Sequence, residues 1–309
     1  MMSQFPFDLE NCDMPYSLEV TGCIKAQNVY PISLRDSSIH VTFENLNVSC
    51  SVQLDVTDHP AGWDVSGEVP VSLMLLPDQY GEGYIGQNVK VLNRYNSFEH
   101  LPFKYIPVRE TLTSTQQWID SCPYDSLKAF MYRVLGSPSI GGLFFSIPAS
   151  THKHFREPGG LAKHSLEVAQ MVYSSTACFD ECERWLAAVA GLFHEVGRVR
   201  ISSGDSRLKA TAGLVSCEVL NFEVLGPALQ LLEKEWTDGA EAIRYMLDSL
   251  CRVRKSCPHL PIALSVRSAD LMSMTNNHRY QAFQENSQSK KFARVGSSSA
   301  EMFWQPSAP

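Results

Sequence analysis

His152-Lys153-His154-Phe155-Arg156-Glu157-Pro158-Gly159-Gly160-Leu161-Ala162-Lys163-His164 is the stretch on which the reading of this 309-residue chain turns. Pro158 and the two glycines mark a tight turn that opens a helix, since proline suits a first helical turn and glycine suits the bend before it. Once the helix starts, His164 falls on the stripe Leu161, His164, Val168, Val172 and so faces inward. A buried imidazole there needs a partner: a carboxylate, a carbonyl or a metal ion.

Two further pieces supply such partners. Leu192-Phe193-His194-Glu195-Val196-Gly197-Arg198 places a His-Glu pair in an apolar helix, with Ala190, Gly191 and Gly197 around it. Small residues let another helix approach closely, which suits a ligand that shares an ion with side chains from elsewhere. Asp270 lies in a helix that begins near Pro261.

The surroundings read as helices from about residue 111 onward. Apolar residues recur at helical spacing over 124–135, 161–173, 182–196, 214–225 and 239–253. Before that the pattern is different. Residues 16–24, 38–43, 48–56, 65–75 and 88–95 are rich in Val, Leu, Ile, Tyr and Thr and several alternate with a period of two. The fold class expected is therefore α+β. A small β-barrel or sandwich over 1–105, OB-like in strand count, precedes an all-α domain over 106–283. The Ser-, Gln- and Lys-rich segment 284–309 reads as a disordered tail.

Composition limits the partners. Residues 1–100 carry 4 Lys+Arg against 13 Asp+Glu, a balance of −9, whereas the rest carry 22 against 20, a balance of +2. A β domain at −9 repels phosphate backbones, which favours protein contacts for it over strand binding. No apolar run approaches the roughly 18 residues that span a bilayer, and no signal peptide is apparent, so a cytoplasmic protein without membrane contact is expected. Nine cysteines cannot all pair internally, and reduced thiols are the simplest reading.

The order His, then His-acid in an apolar helix, then a distant Asp resembles the HD superfamily of metal-dependent phosphohydrolases. The flanks narrow the likeness: Ile147-Pro148-Ala149-Ser150, the His152/His154 pair, Gly-Gly-Leu, Lys-His-Ser-Leu-Glu-Val-Ala and Leu-Phe-His-Glu-Val-Gly-Arg. About residues 110–285 resemble the HD domain of TraI-like conjugative relaxases of the MobH class. They are also similar to bacterial 3′–5′ exoribonucleases built from an OB-fold and an HD domain.

The resemblance implies that His164, His194 and Asp270, with Glu195, are metal ligands. The ion would be one divalent Mn, Fe, Ni or Zn, and the substrate a nucleic acid (DNA or RNA) or a nucleotide. Arg198 matches the family's basic residue and is expected to grip phosphate. Lys163 and His152 are expected near the substrate and His154 among the catalytic groups with Glu195 and Arg198, with either His152 or His154 at the leaving group or a second metal. The family has Asp where this chain has Glu195, and its dinuclear members use further histidines between that pair and the last Asp. Here only His259 lies between, and Ser216-Cys217 stands where a Gly-His is expected. The rival reading is accordingly a catalytically degenerate HD protein, a scaffold or binding component of a DNA-transfer or RNA-processing apparatus.

A substitution pair probes the acid. If Glu195 is a ligand, Glu195→Asp retains or raises metal binding and Glu195→Gln lowers it, because only the second removes the charge. Metal content of the purified variants measures this, and equal content in both would remove Glu195 from the ligand set.

Overall fold

The computed structural model describes residues 18–26, 38–55, 68–77, 83–102, 107, 109–150, 154–202, 209–251, 259–285, 291–295 and 301–306. The chain divides into two compact units. One comprises Met1–Pro107 with Met131–Leu143, the other Val108–Phe130 with Phe144–Pro309.

The first unit is a closed five-strand barrel of β1 (Leu18–Ala26), β2 (Ser38–Glu44), β3 (Ser49–Asp55), β4 (Val69–Pro77) and β5 (Tyr84–Val91), in the order β1-β2-β3-β5-β4. β1 pairs antiparallel with both β2 and β4, which closes the ring, and β3 runs parallel to β5. Alternation makes the core: Ile39, Val41 and Phe43 of β2 face Val52 and Leu54 of β3, together with Ile24, Val71 and Leu73. The opposite faces of β2 and β3 present Ser38, His40, Thr42 and Glu44 beside Ser49, Ser51, Gln53 and Asp55. Those eight positions include no Phe, Tyr, Trp, Lys or Arg.

Strands were expected in this region, but β5 begins at Tyr84 rather than near residue 88, because Tyr84 and Ile85 pair with the parallel β3 as well as with β4. The β domain expected over 1–105 also takes in Met131–Leu143. There the buried His100 donates from Nε2 to the Gly136 carbonyl at 2.6 Å, and Tyr95 stacks on the His100 ring. A sequence-local boundary could not show a helical segment returning to the barrel.

The second unit holds α1 (Arg109–Asp120), most of α2 (Asp125–Leu135), the last residue of α3 (Pro138–Phe144), α4 (Gly160–Ser175), α5 (Glu181–Phe193), α6 (Arg198–Ile201), α7 (Cys217–Glu235), α8 (Thr237–Cys251) and α9 (Ala263–Glu285). α5 is the central element. Trp185 through Phe193 are all buried, and α5 packs on α4, α8 and α9. α7 runs through Pro227 to Glu235, ten residues past the end of the helix expected over 214–225. Burial of Ala228, Leu229 and Leu232 outweighs the one backbone hydrogen bond that proline forfeits.

The segment expected to be a disordered tail needs correction. Phe292–Arg294 (β6) pairs antiparallel with Met302–Trp304 (β7), and both lie against α9. Composition averaged over Ser, Gln and Lys hid two short apolar triplets, Phe-Ala-Arg and Met-Phe-Trp. No helix among the described residues is long and apolar enough to cross a membrane.

The polar outer face of β2 and β3 leads to a binding expectation. A fragment of residues 1–143, which contains the whole first unit, binds a 15-mer single strand no more tightly than about 10⁻⁴ M at physiological salt, the weak end of non-specific binding. Fluorescence anisotropy measures it, and salt-sensitive binding much tighter than that contradicts the charge argument.

Candidate metal centre

Three helices bring the centre together. α4 carries His164, the end of α5 carries His194, and α9 carries Asp270. The turn before α4 adds His154.

The turn is built by close backbone contacts. Ala149 N–H donates to Phe155 O, Gly159 N–H to Ser146 O, and Leu161 N–H to Ile147 O. Phe155 adopts φ 44°, a left-handed conformation rarely used by a bulky residue, and its N–H donates to Asn277 Oδ1 of α9 at 3.0 Å. A Cβ at Gly160 would sit 2.1 Å from Phe155 O, so only glycine lets the helix start this close to the turn. The result puts His154 in the interior with both ring nitrogens lacking a hydrogen-bond partner among the described residues. Burial pushes its pKa down to about 4, only partly opposed by Glu195, so the ring is neutral.

His194 stands at the C-cap of α5. Its Nδ1 lies 2.7 Å from Gly191 O, one of the last-turn carbonyls that a helix leaves without a partner. A carbonyl only accepts, so Nδ1 carries the proton and Nε2 keeps its lone pair. The following turn is clamped by buried Asn221 of α7. Its Nδ2 donates to His194 O, and its Oδ1 accepts from Gly197 N–H at 2.7 Å. Gly197 permits this approach, because a Cβ there would lie 2.3 Å from Cys217 O.

His164 is fixed in the same sense. Its Nδ1 lies 3.0 Å from Ser273 Oγ, and the Ser273 hydroxyl also hydrogen-bonds Glu167. A Ser273 hydroxyl that donates to the Glu167 carboxylate accepts from His164 Nδ1–H, which again leaves Nε2 free. A polar partner that sets the tautomer of a ligating imidazole is the usual support of a metal site.

Both Nε2 atoms then meet one carboxylate oxygen. Asp270 Oδ1 is 3.2 Å from His164 Nε2 and 3.5 Å from His194 Nε2. Metal–ligand bonds of about 2.1 Å give neighbouring donors a separation of about 3.0–3.4 Å in octahedral or tetrahedral geometry. Burial opposes the charge on Asp270, yet the two imidazoles hold its carboxyl well below the usual carboxylate range. His194 shifts the other way: burial disfavours its cation, but the facing Asp270 carboxylate and then Glu195 raise its pKa overall. Two lone pairs turned on a carboxylate require a positive charge between them, either a proton or a metal ion.

Glu195 lies at the edge of this group. Its Oε1 accepts from Arg198 Nη2, while Oε2 is buried, 3.9 Å from His164 Nε2 and without a hydrogen bond. Burial alone would raise its pKa, but the Arg198 charge and hydrogen bond bring it below the ordinary value. His164, His194 and Asp270 form one set of donors within 4.8 Å of one another, and His154, His164 and Glu195 form another. The sets share His164, whose Nδ1 is already engaged by Ser273, so Nε2 can serve one ion at a time. Either set could seat an ion, and the two overlap at His164.

The other expected residues separate. Arg198 touches the centre through Glu195, with its Nε unpartnered. Lys163 is exposed, pairs with Glu157 at 3.4 Å and belongs to neither donor set. His152 lies outside the described residues. Arg267, a natural ion-pair partner for Asp270 one turn away, is exposed and pairs with no carboxylate among the described residues. Ser273, Glu167, Asn221 and Asn277 went unmarked in the sequence. Asn221 carried a signal, as a buried polar residue inside an apolar helical run, and Ser273 lies one turn beyond Asp270.

The chain matches no family model, no curated protein and no solved structure.

Support of His164 by Ser273 is open to measurement. Ser273→Ala removes the Nδ1 acceptor and weakens metal affinity by about 10–100-fold, while His194→Ala, which deletes a ligand, abolishes binding. Titration with Mn²⁺ or Zn²⁺ against a competing chelator reads both, and wild-type affinity in Ser273→Ala would show that His164 is not a ligand.

Proposed function

We propose that the helical unit is a mononuclear, metal-dependent phosphohydrolase or phosphodiesterase of the HD type, acting on nucleic acid or nucleotide. The observation that carries this reading is the set of buried polar atoms without hydrogen bonds. Nε2 of His164 and of His194, both ring nitrogens of His154 and Oε2 of Glu195 all belong to one neighbourhood. Buried polar atoms are nearly always satisfied, and several left open together fit a bound ion.

A divalent ion held by His164, His194 and Asp270 supplies Lewis acidity toward a phosphoryl oxygen and lowers the pKa of water. Two imidazoles and one carboxylate leave coordination positions open and suit Mn, Fe, Ni or Zn. The rest is the work of the chain. Asp270 balances the ion's charge, and Ser273 and Gly191 keep the imidazoles in the ligating tautomer. Neutral His154, beside His164 at a ring separation of 5.2 Å, is a proton acceptor at the edge of the centre. Arg198 holds Glu195 in place and offers its remaining N–H groups to a phosphate.

One observation favours the degenerate alternative. The Glu195–Arg198 pair occupies one carboxylate oxygen and part of the guanidinium, so ligand and phosphate anchor partly neutralise each other. In that case the centre binds metal or nucleotide without turnover, as part of a larger assembly. For the barrel, the absence of Phe, Tyr, Trp, Lys and Arg on the described outer face of β2 and β3 supports protein contacts over the strand-binding role of OB-type barrels.

Hydrolysis of bis-p-nitrophenyl phosphate with Mn²⁺ or Ni²⁺ tests the enzyme. Slow turnover is expected in wild type, with loss of both metal and turnover in His194→Ala. Arg198→Ala retains most metal and loses phosphate affinity by about tenfold or more, the size of one charge-assisted contact. If metal-loaded wild-type protein cleaves no phosphoester or oligonucleotide, the binding reading replaces the enzymatic one.

A further inference from the structure

A groove of about 430 Å³ lies between the start of α4, the C-terminal half of α9 and the end of the terminal hairpin. Its volume falls within the roughly 300–1,000 Å³ of small-molecule sites. Phe155 and Lys163 form one side, and Asn276, Arg279, Tyr280 and Gln284 the other.

The chemistry of that lining is specific. Arg279 makes no ion pair among the described residues, and Lys163 has the long, exposed pair with Glu157 and lies over the Phe155 ring at 5.9 Å. Two cations therefore flank the groove. Tyr280 is 64% exposed and presents a large aromatic side chain to the groove. The Asn276 and Gln284 side chains are exposed and make no hydrogen bond among the described residues. Amides present donor and acceptor together, as nucleobase edges do; an aromatic face takes a base by stacking, and guanidinium or ammonium takes phosphate.

The groove also adjoins the metal centre. Phe155 is the common wall, with its ring centroid 5.1 Å from that of His164. Glu167, which lines the groove, reaches the centre through Ser273. Asn277, at the groove's edge, is two helical turns beyond Asp270, about 10 Å along α9.

We infer that this groove is a nucleotide-unit subsite, which stacks a base on Tyr280 and binds its phosphate through Arg279 and Lys163 beside the metal ligands. It rests on the metal-dependent reading for what the subsite delivers, but the binding itself uses none of the metal ligands. Substrate would then be a free nucleotide or the end of a single strand, since a paired base could not lie on Tyr280.

The test uses the full chain, stripped of metal with chelator, and isothermal titration with 5′-AMP, adenosine and inorganic phosphate, then with a trinucleotide to separate a strand end from a free nucleotide. AMP binding is expected without metal and unchanged in His194→Ala. Arg279→Gln should weaken AMP at least tenfold and adenosine hardly at all, whereas Tyr280→Ala should weaken both. Equal metal content in the groove variants and wild type shows that they are folded. AMP affinity that survives both substitutions, or no binding of AMP or the trinucleotide in metal-free protein, overturns the subsite while leaving the metal centre standing. Failure of metal binding with Arg279-dependent AMP binding intact would overturn the metal reading alone.

Discussion

Two imidazoles whose Nδ1 atoms are already committed turn their Nε2 atoms on the same oxygen of Asp270, at 3.2 and 3.5 Å. Neutral rings in this arrangement repel the carboxylate, so the three groups call for a positive charge between them, a proton or a metal ion. Much of the second unit's architecture follows from keeping that arrangement in register. α5 ends where it does so that His194 can cap its own last turn, Asn221 of α7 ties down the residues that follow, and Ser273 on α9 sets the ring of a histidine on α4. Each support comes from a different helix, so the centre forms only when the helices have packed.

Packing in turn depends on side chains that leave room. The buried run from Trp185 to Phe193 leaves α5 without a solvent face beyond its first turn, because neighbouring elements cover that stretch. Phe155 in its left-handed conformation is maintained by contacts from the Ile147–Ala149 segment and from α9 together. Strain of this kind persists where surrounding structure over-determines it, and here it turns His154 inward.

Much of the centre was legible in the sequence because ligand chemistry is local in type even when distant in position. His164 shows itself by sitting on an apolar stripe, and His194 by lying in an apolar helix beside an acid. The supports were not legible. Ser273 and Glu167 are ordinary helix residues until α4 and α9 pack side by side. The pairing of Glu195 with Arg198 could be drawn from their spacing of three, yet nothing in the sequence says that the pair faces inward. In the barrel, alternation located the strands, but the parallel β3–β5 pairing and the return of Met131–Leu143 are long-range facts with no local trace. The terminal hairpin was missed because three-residue strands are too short for a periodic signal.

The placement of His194 at a helix end, rather than within a helix, has a dynamic consequence. The last turn of a helix opens more readily than its middle, and here opening would swing Nε2 away from Asp270. An ion bound to that nitrogen penalises the opening in proportion to the logarithm of its free concentration. If the centre takes an ion through that nitrogen, fraying of α5 and filling of the centre would be one equilibrium seen from two sides. The amide protons around Gly191 to Arg198 would act as a built-in gauge of occupancy, exchanging slowly when the ion is held and faster as it is withdrawn.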